Sequence, residues 1–271
     1  MALKDITLGQ YFPGNSFFHR LDPRTKLLLT ACYIVALFMA KNLFGYALML
    51  GTLLLSIAIS RVGLKVLVRG MKPILFIVIF TAILNLLYTP GEGDPLATFW
   101  VFRIYWEGVR TAIFMVLRIM MLISCTFLLT YTTSPILLPD ALEQLLGPLK
   151  VFHLPIHELA MMMSIALRFI PTLIEETDKI MAAQKARGAD FDSGNLLEKA
   201  KALIPLLVPL FISAFRRADE LAIAMECRCY HGGEGRTRLR QLKYVGRDYM
   251  ALILGFGLCA AVWGLNQLGV F

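Results

Sequence analysis

Five long apolar runs, at residues 27–40, 43–59, 73–87, 109–130 and 250–268, constrain this chain more than any other feature. Several approach the ~20 residues that cross a ~30 Å hydrocarbon layer at about 1.5 Å per residue. The composition agrees, with 58% hydrophobic and 17% charged residues against roughly 45–50% and about 25% in soluble domains. The expected fold class is therefore an all-α integral membrane protein with about five transmembrane helices. The N-terminal residues carry no apolar stretch before a small-residue cleavage site, so a removed signal peptide is not expected.

Lysine and arginine in short loops predict orientation, because positive loops stay on the cytoplasmic side. His19, Arg20, Arg24 and Lys26 precede the first run, and Arg61, Lys65, Arg69 and Lys72 stand between the second and third. Both segments read as inside. Lys41 is the single charge between the first two runs, and TPGEGDP after the third offers Glu92 and Asp94 alone, so both connections read as outside. The expected organisation is a cytoplasmic N-terminal arm at 1–26, a transmembrane region of about four helices at 27–131, a cytoplasmic region at 132–249 and a last transmembrane helix at 250–271. This places the N-terminus in the cytoplasm and the C-terminus outside. The net charge of +8, from 27 basic and 19 acidic residues, suits loops beside anionic headgroups, and no aromatic-basic module points to nucleic acid.

Several chemistries lack their residues. The chain has no G-x-x-x-x-G-K-[ST] phosphate loop, and HGGEGRTR at 231–238 has neither that spacing nor a preceding strand. His157-Glu158 lacks the second histidine of a zinc-protease helix, and there is no nucleophile elbow. Cys227, Cys229 and His231 fall short of the four ligands a structural zinc site needs, and on the cytoplasmic side their thiols stay reduced. Cys32, Cys125 and Cys259 sit within apolar runs. Asn85 and Arg118 are isolated polar groups inside such runs, where charges usually mark function. Arg118 has no acid in its own run; snorkelling and pairing with another subunit both remain open. An intramembrane enzyme would need titratable residues converging within the spans, and a self-contained transporter would need internal repeats. Neither is evident.

The cytoplasmic region carries three helix patterns. Pro139-Asp140 with Glu143 resembles a capping-box start, and Gly147-Pro148 is a stop. The stretch from His157 to Arg187 contains no glycine and one proline, Pro171, predicting a helix of roughly 45 Å kinked near that proline. Gly188 follows where a helix end favours positive φ. Asn195 with Glu198 starts a third helix expected to reach Tyr230, bend at Pro205 and Pro209, and stop at Gly232-Gly233. Both long helices begin apolar (LAMMMSIALRFIPTLI and ALIPLLVPLFISAF) and turn polar. A crossed pair of this kind would show apolar surface to one partner and helix ends to another. Two ordinary spans with polar ends fit the same periodicity.

HRLDPRTKLLLT at 19–30, the run from PDALEQLLGPLK to AAQKARGADF, and RRADELAIAMECRCY together resemble the transmembrane T component of energy-coupling factor (ECF) transporters. In that family two long coupling helices each end in an Ala-Arg-Gly-like signature that docks into a groove of an ABC-type ATPase. The resemblance implies a non-catalytic coupling subunit in an importer of vitamins or other micronutrients. ATP and Mg would be bound by two partner ATPases, identical or different, with no cofactor in this chain, and the substrate would be held by a separate membrane S component. The first signature matches as Ala186-Arg187-Gly188; the second departs as Cys227-Arg228-Cys229. An arginine between small residues lets a backbone approach a partner closely while a planar fork reaches an acceptor. The apolar halves, including Met161, Met162, Met163, Pro205, Leu206 and Leu207, are the expected S-component docking surface. Methionine adapts to varied partners, though core or lipid packing uses it equally.

Overall fold

The computed structural model of the 271-residue chain describes residues 11–89, 97–99, 102–189, 191, 195–233 and 241–267. Most of the TPGEGDP connection, most of HGGEGRTR and the first ten residues of the N-terminal arm lie outside the described residues. The chain divides into two compact units. One holds Gly9–Ser134 and Leu242–Phe271, the other Pro135–Gln241.

The first unit contains α1 (Pro23–Met39), α2 (Leu43–Ser60), α3 (Leu64–Tyr88), α4 (Trp106–Thr132) and α9 (Gly246–Gln267). Its core is made by Tyr33, Ala36, Leu37, Met49, Leu53, Met121, Cys125, Tyr131 and Val262. A short antiparallel pair, β1 (Ala97–Phe99) and β2 (Phe102–Ile104), lies between α3 and α4 with Phe99 opposite Phe102; the apolar-run reading did not anticipate it.

One end of this unit explains HRLDPRTK. Asp22 caps α1 by accepting from the Arg24 N–H (2.9 Å), and Pro23 fills the first helical position, where a missing N–H costs nothing. The Arg24 guanidinium donates to both Asp22 oxygens (3.1 and 2.9 Å) and lies 3.9 Å from the Tyr244 ring centroid. The Asp22 N–H donates to Oδ1 of buried Asp248 and the Val245 N–H to its Oδ2, each at 2.8 Å. Lys26 Nζ donates to the Thr132 carbonyl at the end of α4 (2.7 Å). The motif thus ties together the start of α1, the end of α4 and the start of α9, using charges that would be costly if buried alone.

The other end is closed by amides. Asn266 Nδ2 donates to the Met39 carbonyl (2.6 Å), and Asn42 Nδ2 donates to the Leu265 carbonyl (3.2 Å). Arg118 belongs here. Its Nη2 donates to the Tyr46 hydroxyl and to the Ala40 carbonyl at the end of α1 (3.5 Å), and its guanidinium faces the rings of Phe38 and Tyr46. The partner that α4 lacks is therefore a helix C-terminus, whose partial negative charge suits a cation. Asn85 bonds within its own helix, to the Thr81 carbonyl (2.9 Å).

Among the described residues, five helices are long and apolar enough to cross a membrane: α2, α3, α4, α9 and, in the second unit, α6 (Ile156–Ala186). The number matches expectation but one member differs. With 17 residues, α1 is shorter than the others, while the apolar first half of α6 raises that helix into the set.

Candidate functional site

The second unit is built from α5 (Leu138–Leu145), α6, α7 (Leu196–Ala202) and α8 (Ile204–Glu226), with 3-10 turns at Pro135–Leu137 and Gly147–Phe152. No side-chain cap forms at the start of α5. Its Glu143, read as part of a capping box, instead lies 2.9 Å from His157 Nδ1 at the start of α6, a pairing across elements that local sequence does not encode. At α7 the glutamate half of the box forms, with the Asn195 N–H donating to Glu198 (2.9 Å).

The expected single helix from Asn195 to Tyr230 is two. Leu203 interrupts it, and Pro205 sits in the first turn of α8 instead of bending a longer helix. Proline lacks the N–H for a helical bond and its ring crowds the carbonyl four residues back, so the first turn is the place that tolerates it. Pro171 and Pro209 stay inside α6 and α8.

The two long helices run antiparallel. Arg217 of α8 lies over the Phe169 ring (5.6 Å) and donates to Glu176 (3.0 Å); Ser213 also bonds Glu176; Gln184 Nε2 donates to the Pro205 carbonyl (3.4 Å). Numbers rise along α6 as they fall along α8. Beyond α8 the chain reaches the start of α6, where Gly233 sits so close to the His157 ring that an added Cβ would stand 2.4 Å from it. Only glycine permits that approach.

Both helix ends close with the same hydrogen bonds. At α6 the Gly188 N–H donates to the Lys185 carbonyl and the Ala189 N–H to the Gln184 carbonyl, each at 3.0 Å. At α8 the Cys229 N–H donates to the Glu226 carbonyl (2.8 Å) and the Tyr230 N–H to the Met225 carbonyl (3.0 Å). Each is a Schellman closure, in which a left-handed residue turns the chain back to satisfy the last carbonyls. That residue is Gly188 (φ 88°) in one and Cys229 (φ 54°) in the other. Arg187 and Arg228 each stand immediately before it. The stop expected at Gly232-Gly233 therefore comes at Cys229, since the turn is set by backbone closure and a cysteine adopts it.

Ala186, Arg187, Gly188, Cys227, Arg228 and Cys229 are all exposed, and neither guanidinium has a partner among the described residues. The antiparallel register puts the two arginines near opposite ends of the pair, roughly 40 Å apart at about 1.5 Å per helical residue. In this register they are two separate helix ends, each with one exposed fork-shaped donor.

The expected S-component residues do not form one patch. Met162 and Met163 are exposed and Met161 is partly covered, near the start of α6. Pro205 and Leu207 are exposed beside Gln184, near its other end, and Leu206 is buried at 6% exposure. Sequence reasoning also missed a longer feature. Ile204, Leu207, Val208, Phe211, Ile212 and Phe215 are exposed at spacings of three and four, forming one apolar stripe along α8. The spacing was already present in ALIPLLVPLFISAF; what could not be read was which face the pairing with α6 leaves open.

Residues 14–239 match the family model described as CbiQ, cobalt transport protein. The chain is 55% identical to the energy-coupling factor transporter transmembrane protein EcfT of Clostridium kluyveri, over 96% of this chain and 94% of that one. It is 51% identical to EcfT of Ruminiclostridium cellulolyticum over 99% of each chain. With EcfT of Bacillus subtilis it shares 50% identity over 97% of this chain and 99% of that protein. Agreement on this scale, over helices and termini alike, means that the chain belongs to the CbiQ/EcfT family of transmembrane components of ECF transporters.

Proposed function

We propose that this chain is the non-catalytic coupler of an ECF-type importer, transmitting ATP-driven movement of two ABC-type ATPase subunits to a membrane S component that holds the substrate. The observation that carries the reading is the pair of identically closed helix ends, each presenting one exposed arginine, at opposite ends of one antiparallel pair. Two subunits that approach and separate need two contacts on one lever, and a separation on the order of 40 Å suits two proteins better than one. Each guanidinium would dock into a groove of one ATPase, bonding carbonyls or a carboxylate. ATP and Mg would belong to those subunits. The α8 stripe offers the S component one apolar surface and the exposed methionines of α6 a second, at another level of the pair; the vitamin or metal ion would bind that partner and not this chain.

The N-terminal arm, the α2–α3 connection, the end of α4 and the start of α9 would face the cytoplasm. The concentration of lysine and arginine there supports this orientation, which leaves the C-terminus outside. Joint replacement Arg187→Glu and Arg228→Glu tests the coupling. Losing one hydrogen-bonded charge at an interface costs about 2–5 kcal/mol, hence at least ~30-fold in affinity per site. The double variant should lose its ATPases on purification or hydrolyse ATP without uptake. Normal co-purification together with normal uptake would rule the assignment out.

A further inference from the structure

We infer that one face of α3, together with the groove between α3 and α4, is a binding site for an anionic phospholipid. Lys65, Arg69 and Lys72 follow one another at spacings of four and three, which on a helix is a single face, and all three are exposed. Exposed Arg61, in the turn before α3, extends the ladder. No acidic residue occurs between Asp22 and Glu92 in the sequence. Among the described residues none of the four cations has an ion-pair or hydrogen-bonding partner through its side chain.

The same face continues through Phe76, Ile79 and Ile83, all exposed. The stripe thus changes from three cations to apolar groups within about one turn. Ile79 and Ile83 also line a groove of about 380 Å³ between α3 and α4, shared with Val109, Ile113 and Val116, in which every lining residue is apolar. Cations over roughly 10 Å of helix followed by an apolar groove reproduce the order of a phospholipid, headgroup and then acyl chain. A soluble protein would answer the cations and leave the apolar half unmatched. A zwitterionic lipid would fill the groove and leave the net positive charge uncompensated. The site follows from α3 and α4 alone and holds in either orientation.

The full chain in vesicles of equimolar phosphatidylcholine and phosphatidylglycerol, probed by electron spin resonance with spin-labelled forms of each lipid, tests this. Wild type should immobilise labelled phosphatidylglycerol preferentially, and high salt should reduce the preference. R61Q/K65Q/R69Q/K72Q should lower it by at least tenfold, since each cation near an anionic surface contributes about fivefold, or about 1 kcal/mol. The charge-conserving set R61K/K65R/R69K/K72R should retain it, separating charge from misfolding. K150Q/K179Q/K201Q/R216Q, with the same net charge as the glutamine set, should leave it unchanged. The assignment is overturned by equal preference in wild type and the α3 variant, or by equal loss in the control variant. It is also overturned if inorganic phosphate displaces phosphatidylglycerol better than chloride at matched ionic strength, or if the α3 variant loses its ATPases while its lipid preference stays intact.

Discussion

At α6 and at α8 the same two hydrogen bonds close the helix, yet the residues that make the turn differ. Gly188 takes a left-handed conformation that costs glycine nothing, whereas Cys229 takes it against the usual steric penalty of about 1–2 kcal/mol. The neighbours on the other side differ as well, Ala186 against Cys227. The position of each arginine is thus fixed by carbonyls that need partners, and residue identity changes what the turn costs and how closely another surface can approach. The same backbone closure forms around two different sets of residues, and under the proposed docking that difference would report on the shape of each partner groove.

The strongest way to break this equivalence is to reverse one charge at a time. Arg187→Glu and Arg228→Glu should each weaken ATPase binding by at least ~30-fold, and similar losses would mark the ends as interchangeable. Titrating solubilised variants with the purified ATPases reads this directly; a loss confined to Arg187 would assign docking to one end. Next in size is the clamp that sets the two ends in register. Glu176 is bonded by Ser213 and Arg217, with side chains about a quarter exposed. Glu176→Ala should destabilise the purified complex by about 1–3 kcal/mol, because Arg217 is left largely covered without its acceptor. A double-mutant cycle with Arg217→Ala should show coupling of about 1 kcal/mol; strict additivity in thermal melts would show that the pair does not hold the helices.

Much of this was legible because helices announce themselves locally. Apolar runs gave four of the five span-length helices, Asn195 and Glu198 gave a helix start, and Gly188 gave a positive-φ stop. Features that depend on contacts between elements were not. Glu143 looked like a cap and pairs with His157; Arg118 looked unpartnered and closes the end of α1; Asp22 and Asp248 are brought together from opposite ends of the chain. The register of α6 on α8 also lies beyond sequence, which is why Met162 and Leu207 could be assigned to one surface though they stand at different levels of the pair. Cys229 stayed hidden because propensity points to Gly232 and Gly233, and only the completed backbone shows which residue turns.

The smaller effects lie in that turn. Gly188→Ala should cost about 1–2 kcal/mol, seen as faster hydrogen exchange of the Ala189 amide, because alanine must adopt φ 88° to keep the closing bonds. Cys229→Ala should change little, one β-carbon replacing another. Cys229→Gly removes the left-handed penalty but gives the unfolded chain glycine's extra freedom, worth about 0.4–1 kcal/mol. The net gain should be about 0.5–1 kcal/mol, slowing exchange of the Tyr230 amide by roughly two- to fivefold. The sign is the informative part: faster exchange would mean that the Cys229 side chain makes a stabilising contact at this end. A gain in stability with weaker ATPase binding would mean that the partner groove is shaped around the cysteine and not around a glycine. Stability and binding rising together would mean that both ends meet grooves of one shape.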